Sequence, residues 1–268
     1  MTTDADARRR LVEVAFDNAA SDYNLSPLFA KPGRQLAEAA GLVAGDRVLD
    51  IATGRGAVLF PAAERVGALG FVMGIDLAEG MVRETSAEIL ARGVLNAAVS
   101  QMNAEQLEFD DNSFDVVTCG FALWFIPELQ RALSESRRVL KPNGRFAATT
   151  WPQQHELTRR FFEIVRKLGG PNLGSHNLQT PEALHDVLSM AGFAAIQTGY
   201  LEQTLDFTDA DDWWQRLAAA PQQLDGLTAE QRDYVKRESL AMANEFVGPD
   251  GHITYVRQAV LATAISPA

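Results

Sequence analysis

Cysteine is almost missing from this sequence: Cys119 is the one such residue among 268. A disulfide framework within the chain is therefore excluded. Histidine is nearly as scarce, with four residues and no Cys/His ligand spacing, which leaves no candidate set for a structural zinc. Cys119 itself stands in an apolar run, the setting of a buried thiol rather than of a nucleophile. Positive charge is short as well. Twenty-four Lys and Arg stand against 35 Asp and Glu, a formal net charge of −11. A partner bound through a phosphate backbone needs a basic surface that releases counterions, so no nucleic-acid partner is expected. Long apolar runs are also missing. Nothing approaches the roughly 18 apolar residues of a spanning helix, and the first ten residues are polar with no apolar centre. The expectation is a soluble, cytoplasmic protein without a membrane span. Core material is plentiful, because 47% of the residues are hydrophobic, enough for one large globular domain with additions. No internal repeat or low-complexity tract interrupts it.

What is present is organised around Arg47-Val48-Leu49-Asp50-Ile51-Ala52-Thr53-Gly54-Arg55-Gly56. Gly45-Asp46 is a turn signal. Val48-Leu49 and Ile51 form the short apolar run of a buried parallel strand, and a loop of small residues follows before helical periodicity begins. Gly54 and Gly56 carry no Cβ, so the loop turns sharply and a ligand lies against bare backbone, facing the N–H groups that open the next helix. A glycine pair alone also fits an ordinary strand-to-helix turn.

The next strand narrows the choice. Phe71-Val72-Met73-Gly74-Ile75 is again apolar and ends in Asp76, which falls beside the loop when the two strands are parallel neighbours. A carboxylate there accepts both hydroxyls of a ribose. Nicotinamide dehydrogenases and S-adenosylmethionine (SAM) methyltransferases share this arrangement. A dehydrogenase fingerprint needs a third glycine three residues after the second, and that position is Leu59. Asp50 would repel a pyrophosphate but suits the ammonium and sulfonium of SAM. Charge complementarity favours SAM.

With these residues the chain resembles the class I SAM-dependent methyltransferases, particularly the small-molecule branch that includes the ubiquinone/menaquinone C-methyltransferases. The run from Asp50 to Gly56 is similar to that family's first motif, Asp/Glu-x-Gly-x-Gly-x-Gly, with Ala52 at the first glycine and Arg55 where a small or hydroxyl residue is common. Asn103-Ala104 stands where the family usually has Asp-Ala. The resemblance implies that Asn103 accepts from the adenine amino group, that the Ala104 N–H meets a ring nitrogen, and that Leu77 joins Asp76 in the cofactor set. Ser113-Phe114-Asp115 and Leu140-Lys141-Pro142-Asn143-Gly144-Arg145-Phe146 are similar to further family segments with an architectural role. The implied cofactor is SAM, with S-adenosylhomocysteine as product, and the resemblance runs from about Asp46 to about Trp151.

Strands are expected at 47–51, 71–75, 97–102, 116–121 and 145–151, with a sixth inside 193–207 and a last at 253–264. Helices are expected between them, including Ala57–Val66, Glu79–Arg92 with Val82, Ser86, Ile89 and Leu90 inward, and one opened by Pro127. Strand-helix alternation with short connections requires parallel strands and right-handed crossovers. The fold class is α/β: a doubly wound, Rossmann-like, seven-stranded, mostly parallel sheet. It has an N-terminal helical lid over 1–44, a SAM-binding core over 45–151, and a remainder over 152–268 with helical insertions as a substrate roof. In the lid, apolar residues Leu11, Ala15, Phe16 and Ala19 share a helical face. Ser21-Asp22-Tyr23-Asn24 breaks it, and a second helix runs about Gly33 to Ala40.

Several side chains are candidates for the site. Ala19-Ala20-x-x-Tyr23 is similar to the family's Ala-x-x-Tyr feature, so Tyr23 either touches the methionine end or the substrate, or packs between lid and core. Trp124 and Phe125 follow the fourth strand, where several relatives carry histidines, one of which serves as base. Here that base is absent, and the aromatic pair either lines a substrate pocket or packs as core. Asp209-Ala210-Asp211-Asp212 makes a favourable helix N-terminus for the mainly helical stretch Asp209–Phe246. Trp213, Trp214 and Phe161 are candidate wall residues of the roof. Among His155, His176, His185 and His252, His155 is the first candidate for a base because it follows the fifth strand, although a structural role fits each. Together these features point to a SAM-dependent methyltransferase acting on a small, partly apolar molecule of secondary or cofactor metabolism. Two alternatives stand beside it: a SAM-fold cyclase or rearrangement catalyst that uses SAM as scaffold, and an NAD(P)-dependent oxidoreductase.

Overall fold

The structure is a computed structural model that describes residues 3–21, 23, 27–152, 155–170, 173–218, 224 and 226–268, with backbone only at 27, 28, 217 and 218. Residues 22 and 24 of the expected break, and 219–223 and 225 of the expected helical stretch, lie outside the described residues.

Five parallel strands form the sheet's centre because each is an apolar run flanked by a helix that returns the chain to the same edge. β1 (Arg47–Ile51) pairs in parallel with β2 (Phe71–Asp76) on one side and with β4 (Phe114–Gly120) on the other. β3 (Ala97–Gln101) lies outside β2, and β5 (Leu140–Thr150) lies beyond β4. β6 (Ala194–Phe207) and β7 (Ile253–Ile265) complete seven strands in the order β3-β2-β1-β4-β5-β7-β6. β7 runs antiparallel between β5 and β6, so the last strand to be made is inserted rather than appended. The chain reverses its direction of winding between β1 and β4. A crevice therefore opens outside the carboxyl ends of these two strands, the place where open sheets of this type bind ligands.

Two layers of helix cover the sheet. α1 (Asp4–Ala19), with a Thr3/Asp6 capping box, and α2 (Pro27–Ala39) make up the N-terminal segment. The crossovers are α3 (Leu59–Val66), α4 (Glu79–Arg92, stopped by Gly93) and α5 (Leu129–Val139), whose buried face is Leu129, Ala132, Leu133, Ser136 and Val139. α6 (Glu156–Lys167) and α7 (Pro181–Met190) precede β6. The short α8 (Ala210–Trp213), a π-helical turn (Trp214–Ala218) and α9 (Ala229–Asn244) lie between β6 and β7. No described helix is long and apolar enough to cross a membrane.

Three local expectations are corrected. α2 begins at Pro27, not Gly33. Pro27 is at home in the first turn, and Pro32 is accommodated inside the helix. β5 begins at Leu140, which pairs with Phe114. The Lys141–Gly144 segment is then a bulge within the strand, with Asn143 in the left-handed region at φ 62°. α4 turns Met81, Thr85 and Ile89 inward, while Leu90 is 81% exposed. That rotation is fixed by polar contacts that hydrophobic spacing does not encode. Thr85 Oγ1 donates to the Gly54 carbonyl at 2.6 Å, and the Gly80 N–H donates to Asp17 at 2.5 Å.

Candidate active site

Asp50 stands between Gly74 of β2 and Thr118 of β4 in the sheet register, and it is buried. Thr53 Oγ1 donates to its Oδ2 at 2.7 Å and Thr118 Oγ1 to its Oδ1 at 2.8 Å. Two hydroxyls and a weaker contribution from the Leu59 N–H compensate a buried carboxylate only in part. Burial pushes the Asp50 carboxyl up to about 6 against the pull of those bonds, and the neighbouring Asp76 charge adds to the rise.

Asp76 ends β2 one position beyond Ile75, the partner of Ile51. Its Oδ2 accepts from the Gly54 N–H at 2.8 Å and its Oδ1 from the Ala78 N–H at 3.0 Å. Burial raises this carboxyl too, against those backbone bonds. The loop between the carboxylates takes left-handed turns at Ala52 (φ 52°), Gly54 (φ 51°) and Gly56 (φ 79°). The two glycines have different reasons. A Cβ on Gly56 would lie 2.6 Å from the Phe60 ring, whereas the space beside Gly54 is open for 4 Å. Two buried carboxylates, neither ion-paired to a cation among the described residues, line an open, Cβ-free face. This donor set fits a cationic, ribose-bearing ligand and opposes an anionic one.

The N-terminal helices close on this edge. Besides the Asp17–Gly80 bond, Arg55 Nη1 donates to the Ala20 carbonyl at 2.9 Å, and Arg55 also pairs with Glu88. Arg55 thus turns away from the loop's ligand face to pin the lid. Arg9 pairs with Glu105 in the loop after β3, and Glu105 accepts from the Glu128 N–H at 3.0 Å. Tyr23 packs its ring on Phe16 and Phe29, and burial raises its hydroxyl pKa, helped by the Asp76 charge. Asn103 uses its side-chain oxygen on the Glu105 N–H at 3.0 Å, with one lone pair remaining. Leu77 accepts from Gln101 through its carbonyl at 3.0 Å, and Ala104 packs on the main core.

Across the crevice stands a wall of aromatic rings. Phe121, directly after β4, holds φ at 58°, an unusual angle for a bulky residue, while its N–H donates to the Thr149 carbonyl at 2.9 Å. Its ring stacks on Trp151 at 4.0 Å, and Phe29 meets both rings edge-on. Sequence reasoning missed Phe121, Trp151 and Phe29. Their signal was position, since Phe121 and Trp151 are the residues immediately beyond two adjacent carboxyl ends. Phe125 meets Phe16 of the lid at 5.3 Å and Trp124 at 5.0 Å, and the Trp124 carbonyl accepts from the Ser175 N–H. Both rings are half-buried, touching core on one side.

Phe161, Trp213 and Trp214 are placed otherwise than expected. Phe161 and Trp213 have no accessible surface and Trp214 has 6%. They pack on one another inside a second core with Leu157, Phe207 and Val235. The alternation of α6 and the α8 turn aims them into the roof's interior, so they brace the roof rather than face the crevice. His155 is the N-cap of α6. Its Nδ1 accepts from the Leu157 N–H and its ring lies flat on Tyr255 at 4.1 Å. Burial lowers its pKa. The cap fixes the neutral tautomer with hydrogen on Nε2, so neither nitrogen is a free acceptor. His176 contacts the Ile126 and Pro127 carbonyls, and His185 and His252 sit beside Asp186 and Asp206.

The methyltransferase-domain family model matches residues 49–148. Over 144 residues the chain is 42% identical to aklanonic acid methyltransferase DauC of Streptomyces sp. (strain C5), covering 53% of this chain and 66% of that one, just under two thirds of its length. Over 203 residues it is 34% identical to nocamycin O-methyltransferase of Saccharothrix syringae, covering 69% and 72%. The fold is similar to the crystal structure of the YcgJ protein from Bacillus subtilis, with a TM-score of 0.63 at 22% identity over 89% of this chain and 99% of that one.

Proposed function

This chain belongs to the class I SAM-dependent methyltransferases, and from that membership we propose that it transfers the SAM methyl group to a small, partly apolar acceptor of secondary metabolism. The observation that carries the reading is the pairing of two carboxylates, Asp50 and Asp76, with the aromatic wall of Phe121, Trp151 and Phe29 across one crevice. The first two relatives, named for aklanonic acid and nocamycin, support an acceptor of that size.

Asp50 would oppose the positive charge of the methionine end, and Asp76 would accept from the ribose hydroxyls with the lone pairs its backbone bonds leave open. Gly54 and Gly56 would offer bare backbone. Leu77, Asn103 and Ala104 would meet the adenine side, and Tyr23 would close the lid over the methionine side. When bound, SAM supplies a methyl group already activated on a sulfonium. What the chain must add is alignment: the acceptor's nucleophile held in line, against flat rings, under a lid that keeps water out. Orientation of this kind lowers a barrier by about 7–11 kcal/mol. His155, committed to its cap and to Tyr255, serves the roof in this reading.

Calorimetric titration tests the cofactor half directly. SAM and S-adenosylhomocysteine bind and NAD does not. At a hundredfold excess over its dissociation constant, S-adenosylhomocysteine stabilises the fold by about 2.7 kcal/mol. Binding of NAD in preference to SAM would overturn the reading.

A further inference from the structure

Arg257 is a largely buried cation with no anionic partner among the described residues. It belongs to the inward row Ile253, Tyr255, Arg257, Ala259 of β7. Because β7 runs antiparallel to β5 and Thr150, the last residue of β5, pairs with Val260, Arg257 lies beyond the carboxyl end of β5, at the edge of the sheet where the crevice opens. The guanidinium carbon lies 3.5 Å from the centre of the Trp151 ring and 5.7 Å from that of Phe29. Nε and Nη2 are shut off from water, and among the described residues they have no hydrogen-bond partner and no carboxylate pairs with the group. The residue as a whole keeps some accessible surface, so the group is not fully enclosed.

A guanidinium in this setting stays charged. Burial lowers its pKa to about 10, which leaves it protonated at neutral pH. Its titratable neighbours, Tyr255 and Tyr23, are phenols that burial keeps neutral, and Gln203, its cross-strand partner on β6, is an uncharged amide, so none of the three supplies an anion. The face of Trp151 recovers part of the lost hydration, but a buried charge is ordinarily paired as well as stacked. The crevice's own carboxylates are engaged elsewhere, Asp50 with two hydroxyls and Asp76 with two backbone N–H groups. They stand on the β1–β2 side, whereas Arg257 stands on the β5–β7 side, stacked on the Trp151 ring.

We infer that Arg257 is the receptor for a carboxylate on the methyl acceptor, gripped by the guanidinium fork while the acceptor's flat apolar part lies along Phe29, Phe121 and Trp151. A planar anion suits the two parallel N–H donors of one guanidinium edge, which gives orientation as well as affinity. The assignment rests on the proposed function, since it takes the aromatic side of the crevice as the acceptor's side. It adds the acceptor's charge: a small aromatic acid, not a neutral or cationic molecule. It also gives a net-acidic enzyme a positive point toward which such an acid is drawn.

The test uses 2-naphthoate and its neutral counterpart 2-naphthamide, titrated into the full chain with and without saturating S-adenosylhomocysteine. The wild type binds naphthoate about tenfold or more tightly than the amide. Arg257→Gln abolishes that preference, Arg257→Lys keeps only a fraction of it, and S-adenosylhomocysteine affinity is unchanged in both. Arg257→Met, which removes the unpaired charge at similar volume, melts in the ligand-free state no lower than wild type. Equal affinity for acid and amide, no binding of naphthoate, or a preference that survives in Arg257→Gln would overturn the inference. So would a lower melting temperature in Arg257→Met, which would show a structural partner. A tenfold loss of S-adenosylhomocysteine affinity in Arg257→Gln would assign the arginine to the cofactor's carboxylate instead. Failure of S-adenosylhomocysteine to bind the wild type would count against the cofactor reading, and it shows separately from the acid-amide comparison.

Discussion

The Gly54 N–H donates to Asp76 Oδ2 over 2.8 Å, so the loop after β1 and the carboxylate that ends β2 form one hydrogen-bonded unit. Asp76→Ala removes the proposed ribose acceptor and also frees the Gly54 and Ala78 N–H groups. Bonds to charged groups are worth about 1.5–3 kcal/mol each, so S-adenosylhomocysteine affinity should fall tenfold or more in calorimetry. Losing a buried carboxylate offsets the freed donors, and the melting temperature should change little.

Asp50 carries a linked pH dependence. Its folded pKa of about 6 lies above the ordinary 3.8 because burial disfavours the charge. Between those values the folded state holds more proton than the unfolded state, so stability falls as pH rises through that window. The cost above it is about 3 kcal/mol. Asp50→Asn keeps both threonine contacts, since a hydroxyl donates or accepts. Urea unfolding should find this variant more stable than wild type at pH 8, with the gap closing near pH 4. Its affinity for S-adenosylhomocysteine should be lower at pH 8. Equal stability at pH 8 would show that the carboxylate is not penalised.

The two loop glycines should fail differently. Alanine at 56 meets the Phe60 ring and an unfavourable φ, so Gly56→Ala should destabilise the fold by about 1–2 kcal/mol or more. Alanine at 54 meets open space, so Gly54→Ala should keep most of the stability and lose cofactor affinity. Thermal melts and titrations on both variants separate the effects.

Much of this arrangement was legible in the sequence, for reasons these residues illustrate. The β1 run, the glycine loop and Asp76 lie within 30 residues and obey local rules of burial and turn geometry. The α5 face could be read because it packs on one surface. The rotation of α4 could not, because Thr85 and Gly80 answer to Gly54 and Asp17, which are distant in sequence. The insertion of β7 beside β5 was equally silent, since an antiparallel pairing leaves no mark on either strand alone. Arg257 follows from that insertion: only once β7 stands over β5 does its guanidinium meet Trp151. Trp213 and Phe161 misled in the opposite direction, because a large ring in an inserted segment fits a roof's interior as well as its lining.

The lid's anchor is also testable. The Glu105 side chain is 3% exposed, and Arg9 is its cationic partner. Arg9→Met leaves that carboxylate held by the Glu128 N–H alone, which should loosen α1. Hydrogen exchange in residues 4–19 should accelerate and cofactor affinity should fall. Adding Glu105→Gln, which removes the stranded charge, should restore part of both. No change in exchange would show that α1 is held by its other contacts.

Mass spectrometry of aromatic acids and quinone-like compounds incubated with the protein and methyl-labelled SAM decides whether a small acceptor is methylated. One or more acceptors should carry the labelled methyl group, with S-adenosylhomocysteine formed in equal amount. An acceptor converted without label, as in a ring closure that uses SAM only as scaffold, would contradict it.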